Sequence, residues 1–271
     1  MKKIPLLELV LKYFPENKKE YLYSRIMCGE VLVNGEKITR PGNKVFLNSK
    51  IEILEKGFVS RGGLKLKAAL DKWNIDTAGK VFIDAGSSTG GFTDCLLKNK
   101  AKYVHAVDVG NNQLAYSLRI DKRVNVLEKT NIMHLKDITP IPDAAVADLS
   151  FRSISGAGRY IINLTLEKWL IALIKPQFEI DYYKYPDFKG IINQKEIISD
   201  VLNDVILKLD KDKLYVEKAI LSPIKGRKGN AEFLFLIKDN QNKGACSGWM
   251  DTIDQELDTI IDKLILKEVH Q

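Results

Sequence analysis

The chain has 271 residues, of which 45% are apolar and 28% charged. At roughly 150 residues per domain this favours two compact domains, and it excludes wholesale disorder, a collagen-like chain and a disulfide-stapled miniature scaffold. Formal net charge is +7, of which +4 falls in the first 60 residues, so the basic excess is densest near the start and points to a polyanion partner such as nucleic acid.

Met1-Lys2-Lys3 followed by Ile4 to Leu11 has the outline of a signal peptide, but Pro5 and Glu8 interrupt the apolar run. With no small-residue cleavage site following, export is not expected. No stretch of about 18 apolar residues is present, which argues against a spanning helix. Cys28, Cys95 and Cys246 are odd in number, far apart and in no CxxC pattern. They read as buried small hydrophobes in a reducing, cytoplasmic compartment, without a metal site.

In chain order, Ile4 to Tyr13 carries apolar residues at helical spacing and ends at Pro15. A second helix is expected from about Asn17 to Cys28, with Leu22 and Ile26 inward, Lys18, Lys19 and Arg25 toward solvent, and Gly29 as its cap. Val31 to Ile38 contains Asn34-Gly35 between alternating residues, a strong hairpin signal. Pro41-Gly42 makes a further turn, and Ile51 and Ile53 mark a last short strand. The glycine-rich join Ser60-Arg61-Gly62-Gly63 then sets a boundary between a small α+β unit, 1–59, and the remainder, 60–271.

Beyond a helix near Leu64 to Trp73, short apolar runs alternate with helical stretches. Strands are expected at Val81 to Ile83, Tyr103 to Val107, Val124 to Leu127, Ala144 to Ala147 and Leu170 to Ile174. Helices are expected at about 91–99, 112–119, 154–165 and 195–209. This alternation predicts an α/β, Rossmann-like fold with a mostly parallel sheet and helices on both faces. Leu214 to Ile220 and Phe233 to Ile237 add antiparallel pairing at one edge. The tail, Trp249 to Val269, places Ile253, Leu257, Ile260, Ile261 and Leu264 on one helical face; acids opposite them favour packing on the domain over a membrane surface.

Two groups of residues carry the chemistry. Asp84-Ala85-Gly86-Ser87-Ser88-Thr89-Gly90-Gly91-Phe92 follows the first strand of the parallel sheet and opens a helix. Small residues there let a ligand approach the backbone at the carboxyl end of the sheet. Ser88 stands where a dinucleotide fingerprint needs glycine, which disfavours a nicotinamide or flavin cradle. Asp84 and Asp108 instead suit S-adenosyl-L-methionine, one acid facing the cationic methionine portion and the other the ribose hydroxyls. The second group is charge at strand ends: Lys65, Asp148, Lys175 and Glu232. His105, His134 and His270 lack partners at metal or triad spacing.

The segments SRGGLKL, DAGSSTGGFTDCLL, VDVG, VADLSF, LIKPQFE and GNAEFLFLI resemble, in order and near spacing, the TlyA-type proteins. These are named haemolysins but assigned as ribosomal RNA 2'-O-methyltransferases of the FtsJ class. The resemblance implies a Rossmann-like methyltransferase domain using S-adenosyl-L-methionine to methylate ribosomal RNA on a cytidine ribose. By that resemblance the catalytic set falls on Lys65, Asp148, Lys175 and Glu232. The cofactor contacts fall on Asp84, Gly86, Ser87, Gly90, Gly91, Asp108 and Asp148. The first sixty residues resemble the alpha-L RNA-binding motif named after ribosomal protein S four, best over Ser24 to Val45. Expected RNA contacts are Lys18, Lys19, Arg25, Lys37, Arg40, Lys44, Arg61, Lys225, Arg227 and Lys228. The opening Ile4-Pro5-Leu6-Leu7-Glu8 departs from the usual Arg-Leu-Asp of that motif, and Phe58 stands where some relatives carry Trp.

The chemistry suits these groups. Methyl transfer from a sulfonium needs an aligned ribose hydroxyl and a group to take its proton. Lys175, desolvated beside cationic Lys65, is one candidate acceptor, with Asp148 and Glu232 orienting the lysines; the four form one coupled set, and which member takes the proton is not legible in the sequence. Two other readings are a membrane-active haemolysin, which would need an exposed apolar helix or barrel strands, and a non-enzymatic RNA-binding protein with a vestigial pocket. Monomer is the expected state.

Overall fold

A computed structural model of the chain describes residues 3–27, 29–54, 57–150, 153–226, 228–240, 252–253 and 255–262. The N-terminal part runs β1 (Lys3–Pro5), α1 (Leu6–Tyr13), α2 (Lys19–Met27), β2 (Val31–Val33), β3 (Glu36–Lys37), β4 (Lys44–Phe46) and β5 (Ile51–Ile53). The first helix begins at Leu6 because Ile4 pairs with Val45 across the antiparallel β1–β4 ladder. The hairpin expected at Asn34-Gly35 is present, both residues holding positive φ, 52° and 84°, as a tight turn between β2 and β3 requires.

Leu6, Leu9, Val10, Leu22, Ile26, Val31 and Val33 close a small core of their own. Arg25 does not reach solvent as the sequence suggested. It is only 5% exposed, with one guanidinium nitrogen 2.7 Å from Glu30 Oε2 and another bonded to the Leu54 carbonyl. An arginine so engaged ties α2 to the end of β5, and it is removed from the set of expected RNA contacts.

The larger part begins with α3 (Gly62–Trp73) and continues β6 (Val81–Ala85), α4 (Gly91–Lys98), β7 (Tyr103–Val107), α5 (Tyr116–Arg119), β8 (Val124–Leu127) and β9 (Ala144–Ala147). There follow α6 (Ile154–Asn163), β10 (Trp169–Ile174), α7 (Pro176–Glu179), α8 (Lys195–Lys211), β11 (Leu214–Leu221) and β12 (Phe233–Asp239). Seven strands form one sheet in the order β11-β12-β10-β9-β6-β7-β8. β12 runs antiparallel to both β10 and β11, so the reversed strand lies one place inside the edge.

Side chains along each strand alternate between two cores, as the pleat dictates. Leu170, Ala172, Ile174, Phe233 and Phe235 join α6 and α8 on one face, whereas Ile171, Leu173, Leu234 and Leu236 join α3 and α4 on the other. Burial on both faces explains why these strands read as unbroken apolar runs. Ile253, Leu257 and Ile261 of the tail are buried in the first of these cores, and Leu264 lies outside the described residues. Cys95 is buried in the second, where burial pushes its thiol up to about 12; Cys28 and Cys246 lie outside the described residues. Among the described residues no helix is long and apolar enough to cross a membrane.

The helix expected over 112–119 shrinks to the single turn of α5. The N–H groups of Asn112, Gln113 and Leu114 all donate to the Glu128 carboxylate, and donors turned toward one acceptor cannot line up along a helix axis.

Candidate active site

The parallel ladder places the carboxyl ends of β6, β7, β9 and β10 side by side, with Ala85 paired to Val107 and to Ala147. Each strand therefore delivers its last polar residue to one crevice. Asp84, near the end of β6, is fully buried. Its Oδ2 accepts from the Thr93 N–H at 2.9 Å and the Thr93 hydroxyl at 2.7 Å, while Oδ1 is buried with no hydrogen-bond partner among the described residues. Burial pushes this carboxyl up to about 7; the Thr93 bonds oppose that rise, and the charges of Asp148 and Asp108 add to it.

Gly86 makes the turn out of β6 with φ 82°, and a Cβ there would stand 2.7 Å from the Asp148 carbonyl oxygen. Glycine is thus required twice, by conformation and by the close approach of the strand end carrying Asp148. Ser87 is buried beside it, its N–H bonded to the Val107 carbonyl. Gly90 and Gly91 serve packing. A Cβ on Gly90 would lie 2.2 Å from Leu118 Cδ1, and one on Gly91 would lie 2.3 Å from Ser60 Oγ.

Asp108, just past β7, organises the neighbouring loops. Its Oδ2 accepts from the Ser88 N–H at 2.8 Å and its Oδ1 from the Gly110 N–H at 2.6 Å. A carboxylate oxygen has a second lone pair, so both remain able to accept from a ligand hydroxyl.

Two ion pairs complete the crevice. Lys175 Nζ, past the end of β10, lies 2.6 Å from Asp148 Oδ1, 3.0 Å from Ser150 Oγ and 3.2 Å from the Leu149 carbonyl. Lys65, on the first turn of α3, pairs with Glu232, which leads into β12. The two pairs are neighbours because β10 and β12 are antiparallel with Ile174 opposite Phe233, which sets Lys175 and Glu232 at adjoining strand ends. Lys65 thus reaches a carboxylate 167 residues away in sequence. The sequence reading put Lys175 beside Lys65; the structure gives each lysine its own acid.

Of the expected RNA contacts, Lys18, Lys19, Lys37, Arg40, Lys44, Arg61, Lys225 and Lys228 are exposed, Arg25 is buried, and Arg227 lies outside the described residues. Lys225 and Lys228 flank Gly226, whose missing side chain lets the loop close over Glu232; a Cβ would meet Glu232 Oε1 at 2.5 Å.

Sequence reasoning missed Thr93 and Glu128. Thr93 stands nine residues after Asp84 inside the same motif, and a hydroxyl at the start of α4 was its signal. Glu128 follows the end of β8, the position by which Asp108 and Asp148 were recognised on their strands. Its carboxylate also accepts from Arg119 at 2.6 Å. Burial pulls its pKa upward, but the bond to Arg119 and the three backbone N–H bonds together outweigh it and hold the carboxyl at about 2.

A sheet with this strand order, one reversed strand, a glycine-opened strand end and a buried acid beneath it is a Rossmann-like methyltransferase architecture. The chain belongs to the FtsJ-like methyltransferase family, whose model matches residues 58–238. It is 42% identical over 219 residues to hemolysin A of Brachyspira hyodysenteriae, covering 77% of this chain and 89% of that protein. It is 36% identical over 191 residues to a Campylobacter jejuni protein named 23S rRNA (cytidine-2'-O)-methyltransferase TlyA, covering 70% of this chain and 75% of that one. A solved structure from Streptococcus thermophilus, provisionally labelled a hemolysin, superposes over 100% of both chains with TM-score 0.69 and 32% identity.

Proposed function

We propose that this protein is an S-adenosyl-L-methionine-dependent ribosomal RNA 2'-O-methyltransferase acting on a cytidine ribose in the cytoplasm. The observation that carries the reading is the pair of lysine–carboxylate contacts, Lys175–Asp148 and Lys65–Glu232, held at adjoining strand ends beside the glycine-opened turn after β6. The relatives named above as an rRNA methyltransferase and a hemolysin support it, since both share this family.

The cofactor suits the residues present. Asp84 Oδ1 is a buried acceptor without a partner among the described residues, and a carboxylate so placed is stabilised by a nearby cation. Gly86 and Ser87 would line the methionine side, with Gly90 and Gly91 supporting the turn behind them, and Asp108 would accept from the ribose hydroxyls. When bound, the cofactor supplies an electrophilic methyl group on a sulfonium.

The chain's own residues do the rest. In this reading Asp148 and Ser150 hold Nζ of Lys175 in the crevice beside the ribose hydroxyl, and the coupled Lys175–Asp148 pair takes up its proton as the methyl is transferred. Lys65, oriented by Glu232, keeps positive charge close to the oxygen as it loses that proton. The side chains of Lys65, Lys175 and Glu232 are largely buried, which strengthens their interactions. Residues 1–59 form the RNA-docking unit in this reading, with Lys18, Lys19, Lys37, Arg40 and Lys44 contacting phosphates. Arg61, Lys225, Arg227 and Lys228 would extend that contact across the crevice.

Ribosomal subunits from cells lacking the protein, incubated with purified enzyme and methyl-labelled cofactor, should gain label on a cytidine ribose. Subunits of both sizes that remain unlabelled under conditions where the cofactor binds would overturn the reading.

A further inference from the structure

Between Lys175 and α8 the chain forms an arm, 176–194, that carries five aromatic rings, at Phe178, Tyr182, Tyr183, Tyr185 and Phe188. The rings divide sharply. Tyr185 and Phe188 pack on the core of the α6 and α8 face, and Ile180 and Ile192 are buried in it. Tyr183, by contrast, is 99% exposed and Tyr182 63%. Two adjacent tyrosines left outside a segment that already sends two rings inward are not explained by packing.

Hydrogen bonds hold the backbone that presents this pair. Asp181 Oδ1 accepts from the Tyr183 N–H at 2.8 Å, the Asp181 carbonyl accepts from the Tyr185 N–H at 2.9 Å, and Tyr182 sits edge-on to Phe188 with ring centroids 5.9 Å apart. Both ends of the arm are fastened to the crevice. At the start, the Phe178 N–H donates to the Lys175 carbonyl and its ring lies 5.7 Å from Lys175 Nζ. At the far end, the buried Asn230, two residues before Glu232, donates to the Gly190 carbonyl at 2.8 Å and accepts from the Ile192 N–H at 2.9 Å. The arm therefore forms part of the rim of the site.

We propose that Tyr182 and Tyr183, with Phe178 nearer the crevice, are a stacking platform for unpaired RNA bases next to the methylated nucleotide. This rests on the RNA-methyltransferase reading. Ring faces stack on any base, and a base can reach them only when it is unstacked from a duplex. Charge does not drive the contact, because Lys184 and Lys189 are outnumbered along the arm by Glu179, Asp181 and Asp187. Platform binding is accordingly selective for single strands, and its contribution depends little on salt, in contrast with lysine contacts to phosphate.

The test is equilibrium binding of an about 12-nucleotide fluorescent RNA, single-stranded or annealed to its complement, across a salt series. Tyr183→Ala should weaken single-strand binding about tenfold, and the double variant with Tyr182→Ala more, leaving duplex binding and the salt slope as in the parent. Tyr183, at 99% exposure, has almost no packing to lose, and a Tyr182→Phe, Tyr183→Phe variant should bind like the parent, so misfolding is separable from lost stacking. Single-strand binding unchanged in the alanine variants, or strand and duplex weakened equally, would overturn the proposal. So would loss of binding to whole ribosomal subunits alone, which would mark the tyrosines as a protein contact. Because binding is read without methyl transfer, a single-strand defect in a protein that methylates no RNA would support the platform while refuting the enzymatic reading.

Discussion

Lys175 Nζ and Asp148 Oδ1 meet at 2.6 Å from the ends of two neighbouring parallel strands, and the same nitrogen also reaches Ser150 Oγ at 3.0 Å. Three acceptors around one nitrogen, counting the Leu149 carbonyl, fix its position without help from a ligand. Replacing Lys175 by Met should lower methyl transfer about 10²- to 10⁴-fold while cofactor binding by calorimetry stays intact. Lys175→Arg should be as inactive, since a guanidinium keeps the charge but does not take up a proton. Substantial activity in the arginine variant would assign the proton to another group.

Lys65 and Glu232 form the more buried pair, with side chains 12% and 5% exposed. Lys65→Met alone leaves a buried carboxylate without its cation, which costs up to about 3–5 kcal/mol. Adding Glu232→Leu should recover most of that loss in denaturant unfolding, because the apolar replacement removes the stranded charge. Activity should not return with it. Recovery of both would make the pair purely structural.

The buried Asp84 carboxyl, at about 7, lies well above its unfolded value of roughly 3.9. Folded protein therefore holds a proton that the unfolded chain has released, so this group's contribution to stability is present below about pH 4 and is lost as pH rises through 7. A cationic ligand reverses the preference. Cofactor affinity should rise with pH up to about 7 and then level, and binding near pH 6 should release a proton, seen as a buffer-dependent heat in calorimetry. Asp84→Asn should abolish that heat; its persistence would place the titrating group elsewhere.

Glu128 acts in the opposite sense. Held at about 2, its carboxyl stabilises the fold above the unfolded value of roughly 4.3, and the contribution fades as pH falls from there toward 2. Because it gathers the N–H groups of Asn112, Gln113 and Leu114, Glu128→Ala should free the loop after Asp108 and weaken cofactor binding. Glu128→Gln, which keeps one acceptor oxygen, should fall between the two. Equal cofactor affinity in all three proteins would show that this loop does not shape the site.

Much of the architecture was written locally. Apolar runs at 103–107, 124–127 and 144–147 are strands over those same residues, and 144–147 is buried throughout and continuously apolar, as a strand covered on both faces must be. Asn34-Gly35 makes its turn because those residues tolerate positive φ. The motif from Asp84 to Phe92 gave away the crevice, since a strand, a glycine turn and a helix in that order bring backbone to a ligand. Where contacts arrive from far along the chain, local reading failed. Arg25 looked like a solvent cation until Glu30 and the Leu54 carbonyl enclosed it, and 112–114 looked helical until Glu128 drew off its N–H groups.

The same division runs through the site. Sequence by itself determined which residues are available, since acid, lysine and glycine types at strand ends are set by short motifs. Only the tertiary structure decided how they pair, joining Lys65 to Glu232 and Lys175 to Asp148, because that choice depends on β12 lying antiparallel against β10 and on α3 packing against β12. Long-range register is a property of the whole packed sheet, and no short window of sequence contains it.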